Sequence, residues 1–385
     1  MKPEYHVART QWLQAIEGAW SRKPLLWIAG VRRVGKTSLC LSIPGIELFD
    51  CELPRVRRSM EDPEAFLDGV RGKRIALDEI HRLPNPSELL KIAADHYPDV
   101  RILATGSSTL GATAKFRDTL AGRKETLWLT PMTSADLRDF GGGNLPHRLL
   151  RGGLPPFFLA GDDPERDFQE WMDAYWAKDI QEMFRLERRT AFLAFVEMLL
   201  AQSGGIFEAT RFASACGVSH TTIRNYLGAL EATFVAHVVR PYSTRRSVEI
   251  VAAPKVYGFD TGFVCHERGW TSLRGEDLGA LWEHYVLNEM HGRLQQRRPI
   301  RYWRDKQGRE VDFILVPRGK PPVAIECKWS AAAFDPASLL AFRRLYPSGR
   351  NLVVAHDVDR PFERTVGPVR VRYVGLEGML DGISG

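Results

Sequence analysis

The chain has 385 residues, enough for two or three domains with conventional hydrophobic cores. Its 44% hydrophobic and 26% charged residues exclude a collagen-like or disordered protein. No apolar run approaches the roughly 18 residues of a membrane helix, and the charged first residues do not resemble an export signal. We therefore expect a cytoplasmic protein with no membrane partner. The net charge of +6 is compatible with an anionic partner such as nucleic acid.

The first third of the chain alternates short apolar stretches with segments of helical character. This alternation predicts an α/β fold in which helices cover a parallel sheet. The predicted strands are 25–29, 46–49, 74–78, 101–105 and 125–129.

The remaining two thirds contain two further patterns. Residues 163–230 are amphipathic and predict a helical region. After Pro254 the predicted order is helix, three strands, helix, strand, strand. We predict three domains, with boundaries at 1–135, 136–255 and 256–385.

Residues 30–37 match the motif G-x-x-x-x-G-K-[ST] between a predicted strand and a predicted helix. In this context the motif predicts a phosphate-binding loop, because the glycines allow successive N–H groups to converge on phosphate oxygens. Lys36 is expected to reach the β- and γ-phosphates of ATP, and Thr37 is expected to bind Mg²⁺ through its hydroxyl. The predicted nucleotide contacts are Gly30, Val31, Arg32, Arg33, Val34, Gly35, Lys36, Thr37 and Ser38.

Two adjacent acidic residues end the predicted strand that follows this loop. Asp78 is placed to complete the Mg²⁺ site, and Glu79 to polarise the attacking water. An Asp-Glu pair at this position favours ATP hydrolysis over nucleotide binding alone.

Ser107 and Arg123 are weaker candidates in the same domain. Ser107 follows a predicted strand that would lie between the two motif strands, where it could sense the γ-phosphate; a simple turn is the alternative. Arg123 is a candidate for stabilising transition-state charge, in cis or from a neighbouring subunit of a homo-oligomer. An arginine with no catalytic role remains the alternative.

These motifs resemble those of a large group of bacterial and archaeal AAA-type ATPases. The resemblance rests on G-V-R-R-V-G-K-T, A-L-D-E-I-H, A-T-G-S-S and L-A-G-R, and it extends to the segments 151–155 and 178–180. It covers nearly the whole chain. It implies an AAA-type P-loop domain at 1–135 and a C-terminal domain with a restriction-nuclease-like core.

Residues 207–230 have the spacing of a helix-turn-helix, with Gly217 at the turn and Ser219 capping the second helix. This motif predicts a winged helix in the middle domain, with a basic wing at 242–246. DNA binding and a purely structural role are both open. The inward residues would be Ile223, Leu227 and Leu230, and the outward residues His220, Thr221, Arg224 and Asn225.

A second acidic constellation lies in the last third, on two predicted neighbouring strands. Strand alternation brings Asp312, Glu326 and Lys328 together, as in a PD-(D/E)xK nuclease core of order αβββαβ. There the carboxylates would bind Mg²⁺, or alternatively Mn²⁺, and the lysine would orient the attacking water. The family resemblance implies that Glu283, on the preceding helix, is a third metal ligand.

The segment 293–309 leads directly into this constellation. It has one acidic residue, Asp305, and it also contains Tyr302 and Trp303, the character expected of a phosphate-backbone track. A solvated edge strand is the alternative. The basic residues are Arg293, Arg297, Arg298, Arg301, Arg304, Lys306 and Arg309.

Two classes of function agree with these features. In the first, the protein is an ATPase that acts on DNA and couples ATP turnover to a metal-dependent deoxyribonuclease site. In the second, it is a nucleotide-switched regulator that binds DNA or a protein without cutting. ATP-driven remodelling of proteins is a third alternative, and it would be indifferent to DNA.

Overall fold

A computed structural model describes residues 7–106, 118–142, 144–161, 165–184, 186, 188–244, 253–295 and 299–384. The chain divides into two compact units. Unit 1 contains Met1–Asn144, Gly153–Glu187 and Ala232–Val235. Unit 2 contains Leu145–Gly152, Arg188–Glu231 and Ala236–Gly385. The three-domain division of the sequence stays a prediction.

Unit 1 is built on a parallel sheet of five strands in the order β2-β3-β4-β1-β5. Because every pairing is parallel, the carboxyl ends of all five strands lie at one edge. This arrangement confirms the α/β prediction. The strands are β1 (Leu25–Ala29), β2 (Ile46–Asp50), β3 (Arg74–Asp78), β4 (Arg101–Thr105) and β5 (Lys124–Trp128).

The helices of unit 1 are short, and several begin with recognisable start signals. Asp62 caps the helix Pro63–Gly69 by accepting hydrogen bonds from the backbone N–H groups of Glu64 and Ala65, and Pro63 occupies the first helical position. The described α-helices of this unit are Thr10–Trp20, Lys36–Leu41, Pro54–Ser59, Pro63–Gly69, Pro86–His96, Ser134–Asp139, Pro155–Phe158, Glu165–Tyr175 and Gln181–Phe184, with a 3₁₀ turn at Ile80–Arg82 and a π-helix at Trp176–Ile180.

Unit 2 contains a mixed sheet of nine strands in the order β13-β14-β12-β11-β10-β9-β7-β8-β6. The pairings β10–β11 and β10–β9 are antiparallel, whereas β11–β12 and β7–β9 are parallel. The strands are β6 (Gly205–Ile206), β7 (Ala236–Pro241), β8 (Lys255–Gly258), β9 (Ile300–Arg304), β10 (Glu310–Leu315), β11 (Val323–Lys328), β12 (Asn351–Ala355), β13 (Phe362–Val366) and β14 (Val369–Val374).

The helices Gly275–Leu294 and Ala337–Leu345 occupy their predicted places on either side of the three strands β9, β10 and β11. The strand β13 and the helix Leu376–Ser384 were not predicted. Within the described ranges, no helix has the length and apolarity needed to cross a membrane. The α-helices are Leu145–Arg151, Arg189–Ala201, Ala209–Cys216, His220–Ala232, Thr261–Glu267, Gly275–Leu294, Ala337–Leu345 and Leu376–Ser384, with a 3₁₀ turn at Ala331–Ala333.

The helices Ala209–Cys216 and His220–Ala232 form the predicted helix-turn-helix. Gly217, with φ at 63°, ends the first helix in the left-handed conformation that glycine adopts without strain. Ser219 Oγ accepts a hydrogen bond from the Thr222 N–H at 3.1 Å at the start of the second helix. Arg245 and Arg246 of the predicted wing lie outside the described residues. The residues expected to face inward (Ile223, Leu227 and Leu230) are buried, and those expected to face outward (His220, Thr221, Arg224 and Asn225) are exposed.

Candidate functional site

The loop between β1 and the helix Lys36–Leu41 has the backbone shape of a phosphate-binding loop. Gly30 and Gly35 have φ values of 150° and 98°, which favour glycine. A side chain on Gly30 would also place its Cβ 2.4 Å from the carbonyl oxygen of Leu129. The two motif glycines are therefore required by the turn.

Lys36 folds back over this loop. Its Nζ donates to the carbonyl oxygens of Gly30 and Val31 at 2.9 and 3.1 Å. Burial lowers the pKa of Lys36, and the carboxylates of Glu79 and Asp179 oppose that shift. The ammonium group thus lies among acceptors that an anionic ligand could replace.

Asp78, at the end of β3, connects the loop to the neighbouring strand β4. Its Oδ2 accepts from Thr37 Oγ1 at 2.7 Å, and its Oδ1 accepts from the hydroxyl of Thr105. Burial raises the pKa of Asp78, although both hydroxyl donors act against the shift. Thr105 was missed as a site residue, although it lies in the sequence A-T-G-S-S. Ser107, the residue selected there, lies outside the described part of the chain.

Glu79 has an unusual backbone conformation for a residue other than glycine, with φ at 51°. Its N–H donates to Thr105 Oγ1 at 3.2 Å, and its Oε2 lies 3.1 Å from His81 Nδ1. Burial raises the pKa of Glu79, but the His81 hydrogen bond and the charge of Lys36 outweigh it and lower the pKa overall. Glu79 therefore stays ionised, and His81 is a partner that the sequence did not reveal.

A cavity of about 430 Å³ opens beside the loop. Its volume is in the range of small-molecule sites. Its lining includes Glu79, His81, Arg82, Lys178 and Asp179, and of the predicted nucleotide contacts Gly30, Arg32, Arg33, Gly35, Lys36, Thr37 and Ser38. The remaining two predicted contacts, Val31 and Val34, are buried and are not among the described lining residues. The apolar part of its lining consists of Val7, Leu39, Phe140, Pro155, Pro156 and Leu159.

Arg123 does not belong to the described lining of this cavity. Its Nε lies 2.7 Å from Asp95 Oδ1, and this hydrogen bond raises the pKa of Arg123. A role for Arg123 towards the nucleotide of a neighbouring subunit stays a prediction.

The second predicted site lies in unit 2, where β10 and β11 pair. Lys328 Nζ lies 3.0 Å from Glu326 Oε2 and 3.4 Å from Asp312 Oδ2. Asp312 Oδ2 also accepts from the Cys327 N–H at 2.7 Å. Both carboxylates are buried, with 8% and 2% of Asp312 and Glu326 exposed. The structure thus brings the three predicted residues together.

Glu283, on the helix Gly275–Leu294, is held by residues that the sequence did not indicate. Its Oε1 accepts from Lys255 Nζ at 2.9 Å and from the hydroxyl of Tyr257. Lys255 Nζ also lies 2.6 Å from Glu310 Oε1. A lysine within the apolar stretch K-V-Y-G was the available signal, because a lysine is rarely buried without a partner.

Electrostatics link Glu283 to the Asp312–Glu326 pair. Burial raises the pKa of Asp312, and the charge of Glu283 raises it further. Burial and the charge of Asp312 likewise raise the pKa of Glu326. These carboxylates therefore repel one another, and a bound cation would relieve that repulsion.

The donor set fits a hard divalent cation in part. Glu326 Oε1 is buried and has no hydrogen-bond partner in the described chain, as expected for an oxygen that binds a ligand. Within the same ranges, however, no three His, Cys, Asp or Glu side chains are arranged around one metal position. Lys255 and Tyr257 bind Glu283 instead. The metal site of Glu283, Asp312 and Glu326 therefore stays a prediction.

The basic segment 293–309 differs in one respect from the predicted phosphate-backbone track. Tyr302 and Trp303 are only 3% and 5% exposed, so their rings are not available to stack on bases. The exposed basic side chains include Arg293, Arg304 and Lys306, whereas Arg297 and Arg298 lie outside the described residues.

Three family models match successive parts of the chain. An AAA domain matches residues 22–137. A domain of unknown function, DUF8612, matches residues 143–274, and a second, DUF4143, matches residues 278–373. The AAA match contains the phosphate-binding loop, Asp78 and Glu79.

The chain is similar to two curated mycobacterial proteins. These are the uncharacterized protein Mb2031c of Mycobacterium bovis and the uncharacterized protein Rv2008c of Mycobacterium tuberculosis. Each is 31% identical over 317 residues, which are 79% of this chain and 70% of the relative. Among solved structures, the Walker-type ATPase PABY2304 of Pyrococcus abyssi aligns with 16% identity and a TM-score of 0.44, over 68% of this chain and 96% of that one.

Proposed function

We propose that this chain, which belongs to the same family as its two mycobacterial relatives and contains an AAA domain, hydrolyses Mg²⁺-ATP to control a DNA-cleaving centre in unit 2. One observation carries the ATPase part. Asp78 accepts hydrogen bonds from Thr37 and Thr105, and Glu79 directly follows it with an ionised side chain.

Thr37 and Asp78 would hold Mg²⁺, because a hydroxyl oxygen and a carboxylate oxygen already lie together beside the loop. The ion supplies charge neutralisation at the β- and γ-phosphates. Lys36 gives up its carbonyl acceptors to bind the same phosphates. Glu79, ionised and beside the loop, accepts a proton from the attacking water and aligns it with the γ-phosphorus. The apolar part of the cavity lining, around Phe140, accommodates the adenine ring of ATP.

ATP turnover by Glu79→Gln tests this assignment. The amide keeps the shape of the side chain but cannot accept the proton, so we expect turnover to fall by a factor of about 10² to 10⁴ while nucleotide affinity is kept. Lys36→Ala should instead lose nucleotide binding. Glu61→Gln, an exposed residue of unit 1, is the matched control and should behave as wild type. Normal turnover in Glu79→Gln would contradict the mechanism.

For unit 2 we propose cleavage of the DNA backbone at Asp312, Glu326 and Lys328. The unpartnered Oε1 of the buried Glu326 supports this proposal. Asp312 and Glu326 would hold Mg²⁺ or Mn²⁺, which lowers the pKa of a bound water and stabilises charge on the phosphate. Lys328, in contact with both carboxylates, would orient the water that attacks. The exposed Arg304 and Lys306 provide cations for phosphate contacts.

A specific observation favours the second candidate, a nucleotide-switched regulator that binds DNA without cutting it. Lys255 and Tyr257 satisfy the oxygen of Glu283 that a metal ion would need. If this arrangement persists when DNA is bound, Asp312 and Glu326 are the carboxylates left for a metal ion, and Lys328 already pairs with both. The centre would then contribute to binding only.

Metal binding and nicking by Asp312→Ala separate the two candidates. For the nuclease, calorimetry should detect Mg²⁺ or Mn²⁺ binding that Asp312→Ala removes, and nicking of plasmid DNA should disappear with it while ATP turnover stays unchanged. Asp359→Ala, an exposed residue of the same unit, is the control. DNA binding without metal binding or nicking in the wild type would establish the regulator instead.

A further inference from the structure

The π-helix Trp176–Ile180 continues the helix Glu165–Tyr175 and brings two adjacent charged residues to the nucleotide cavity. Lys178 and Asp179 both line that cavity. π-Helical turns are rare and frequently occur at functional sites. Neither residue takes part in the hydrolysis mechanism proposed above.

This segment holds a residue of the phosphate-binding loop by both its side chain and its backbone. Asp179 Oδ2 lies 3.0 Å from Arg32 Nε, and the Asp179 and Arg32 side chains are 11% and 27% exposed. Trp171 Nε1, one helical turn before the π-helix, donates to the carbonyl oxygen of Arg32 at 3.1 Å. The position of this segment is therefore coupled to the conformation of the loop.

The charge of Asp179 acts directly on the phosphate-binding lysine. Asp179 raises the pKa of Lys36 against the effect of burial, so the two groups interact electrostatically. A phosphate bound by Lys36 would consequently experience repulsion from the Asp179 carboxylate. Lys178, in contrast, is exposed and forms no ion pair in the described chain. It is a cation available to an anion in the cavity.

We propose that Lys178 and Asp179 sense the terminal phosphate of ATP: Lys178 binds that phosphate, and Asp179 releases Arg32 to it. This inference rests on the proposed function, because it requires ATP in the cavity. With ADP, Arg32 stays paired with Asp179. With ATP, the added negative charge repels Asp179 and attracts Arg32, and the π-helix Trp176–Ile180 loses its Asp179 contact to the loop while Trp171 keeps its hydrogen bond to Arg32.

Equilibrium binding of ADP and of a non-hydrolysable ATP analogue, measured by calorimetry with Mg²⁺, tests the sensor. Lys178→Ala should weaken binding of the analogue by about 10-fold or more while ADP binding stays unchanged, the loss expected for one charge-assisted hydrogen bond. Lys178→Arg should retain the preference for the analogue. Asp179→Asn should strengthen binding of the analogue several-fold more than that of ADP.

The controls are Lys91→Ala and Asp167→Asn, two substitutions in unit 1 outside the cavity lining, which should match the wild type. Equal effects of Lys178→Ala on both nucleotides, or none on either, would overturn the sensor. If Lys36→Ala still abolished binding of both nucleotides in that case, the proposed function would stand. A wild-type protein that bound neither nucleotide would refute the proposed function and the sensor together.

Discussion

Removal of the Asp136 carboxylate should destabilise unit 1 strongly, because it would leave the Arg9 guanidinium buried without a counter-charge. Arg9 and Asp136 are 3% and 0% exposed. Arg9 Nε and Nη2 donate to the two carboxylate oxygens at 2.8 and 2.7 Å, and the Thr133 N–H donates at 2.8 Å. Arg9 also donates to the carbonyl oxygen of Val34 in the phosphate-binding loop at 3.0 Å.

The magnitude follows from the burial of both partners. Loss of one partner of a buried ion pair costs about 3 to 5 kcal/mol of unfolding free energy. At about 2 to 4 °C per kcal/mol for a unit of this size, Asp136→Ala should lower the unfolding temperature of unit 1 by roughly 6 to 20 °C. Nucleotide affinity should fall as well, because Arg9 would no longer support Val34.

Scanning calorimetry gives the transition temperatures, and hydrogen exchange followed by mass spectrometry assigns each transition to a unit. The informative control is the double variant Arg9→Met/Asp136→Leu, which removes both charges and should be far less destabilised than Asp136→Ala. If the double variant lost as much stability as the two single variants added together, the reasoning from an unpaired buried charge would be wrong.

Three further predictions concern unit 2. Burial lowers the pKa of His237 to about 4, so the unfolded chain takes up a proton below about pH 6.5 that the folded chain excludes. Stability should therefore fall as the pH drops from about 6.5 to 4, by up to about 1.4 kcal/mol per pH unit for this group, and urea melts of His237→Phe should show a smaller decrease. Gly152→Ala should lower the unfolding temperature, because Gly152 has a φ of 86° and an added Cβ would lie 2.0 Å from Asp260 Oδ1. An unchanged unfolding temperature would mean that the segments around Gly152 and Asp260 can move apart with little loss of stability. Arg301→Glu/Arg304→Glu should weaken DNA binding and reduce its salt dependence. If filter binding showed the same dependence of affinity on salt concentration as the wild type, β9 would not be part of the DNA-binding surface.

The nucleotide site was largely accessible from the sequence because its information is local. The strands at 74–78 and 101–105 were predicted with their observed bounds, since short apolar runs between turn residues specify buried parallel strands. The strand β4 lies between β1 and β3, as predicted, but the contact between Thr105 and Asp78 was not foreseen. Which side chain of β4 meets Asp78 is a property of the folded sheet, and no spacing along the chain encodes it.

The surroundings of the acidic site could not be predicted for the same reason. Lys255 reaches Glu283 and Glu310 from a different strand, so only the folded sheet shows that the three meet. The buried rings of Tyr302 and Trp303 have a related origin. Their strand β9 lies between β10 and β7, and the two rings pack into cores on opposite faces of the sheet. The sequence I-R-Y-W-R, in which two aromatic residues stand between two arginines, does not reveal that both faces of this strand are covered.

The continuous sheet of unit 2 limits how this protein can be dissected. Strands β7 and β8, which follow the helix His220–Ala232, pair directly onto the sheet that contains Asp312 and Glu326. A fragment that begins at residue 256 would leave one side of β9 unpaired, and such an edge recruits other chains. It would also lose Lys255 and with it the counter-ion of Glu283. Fragments meant to preserve the acidic site must therefore begin before β7 at Ala236.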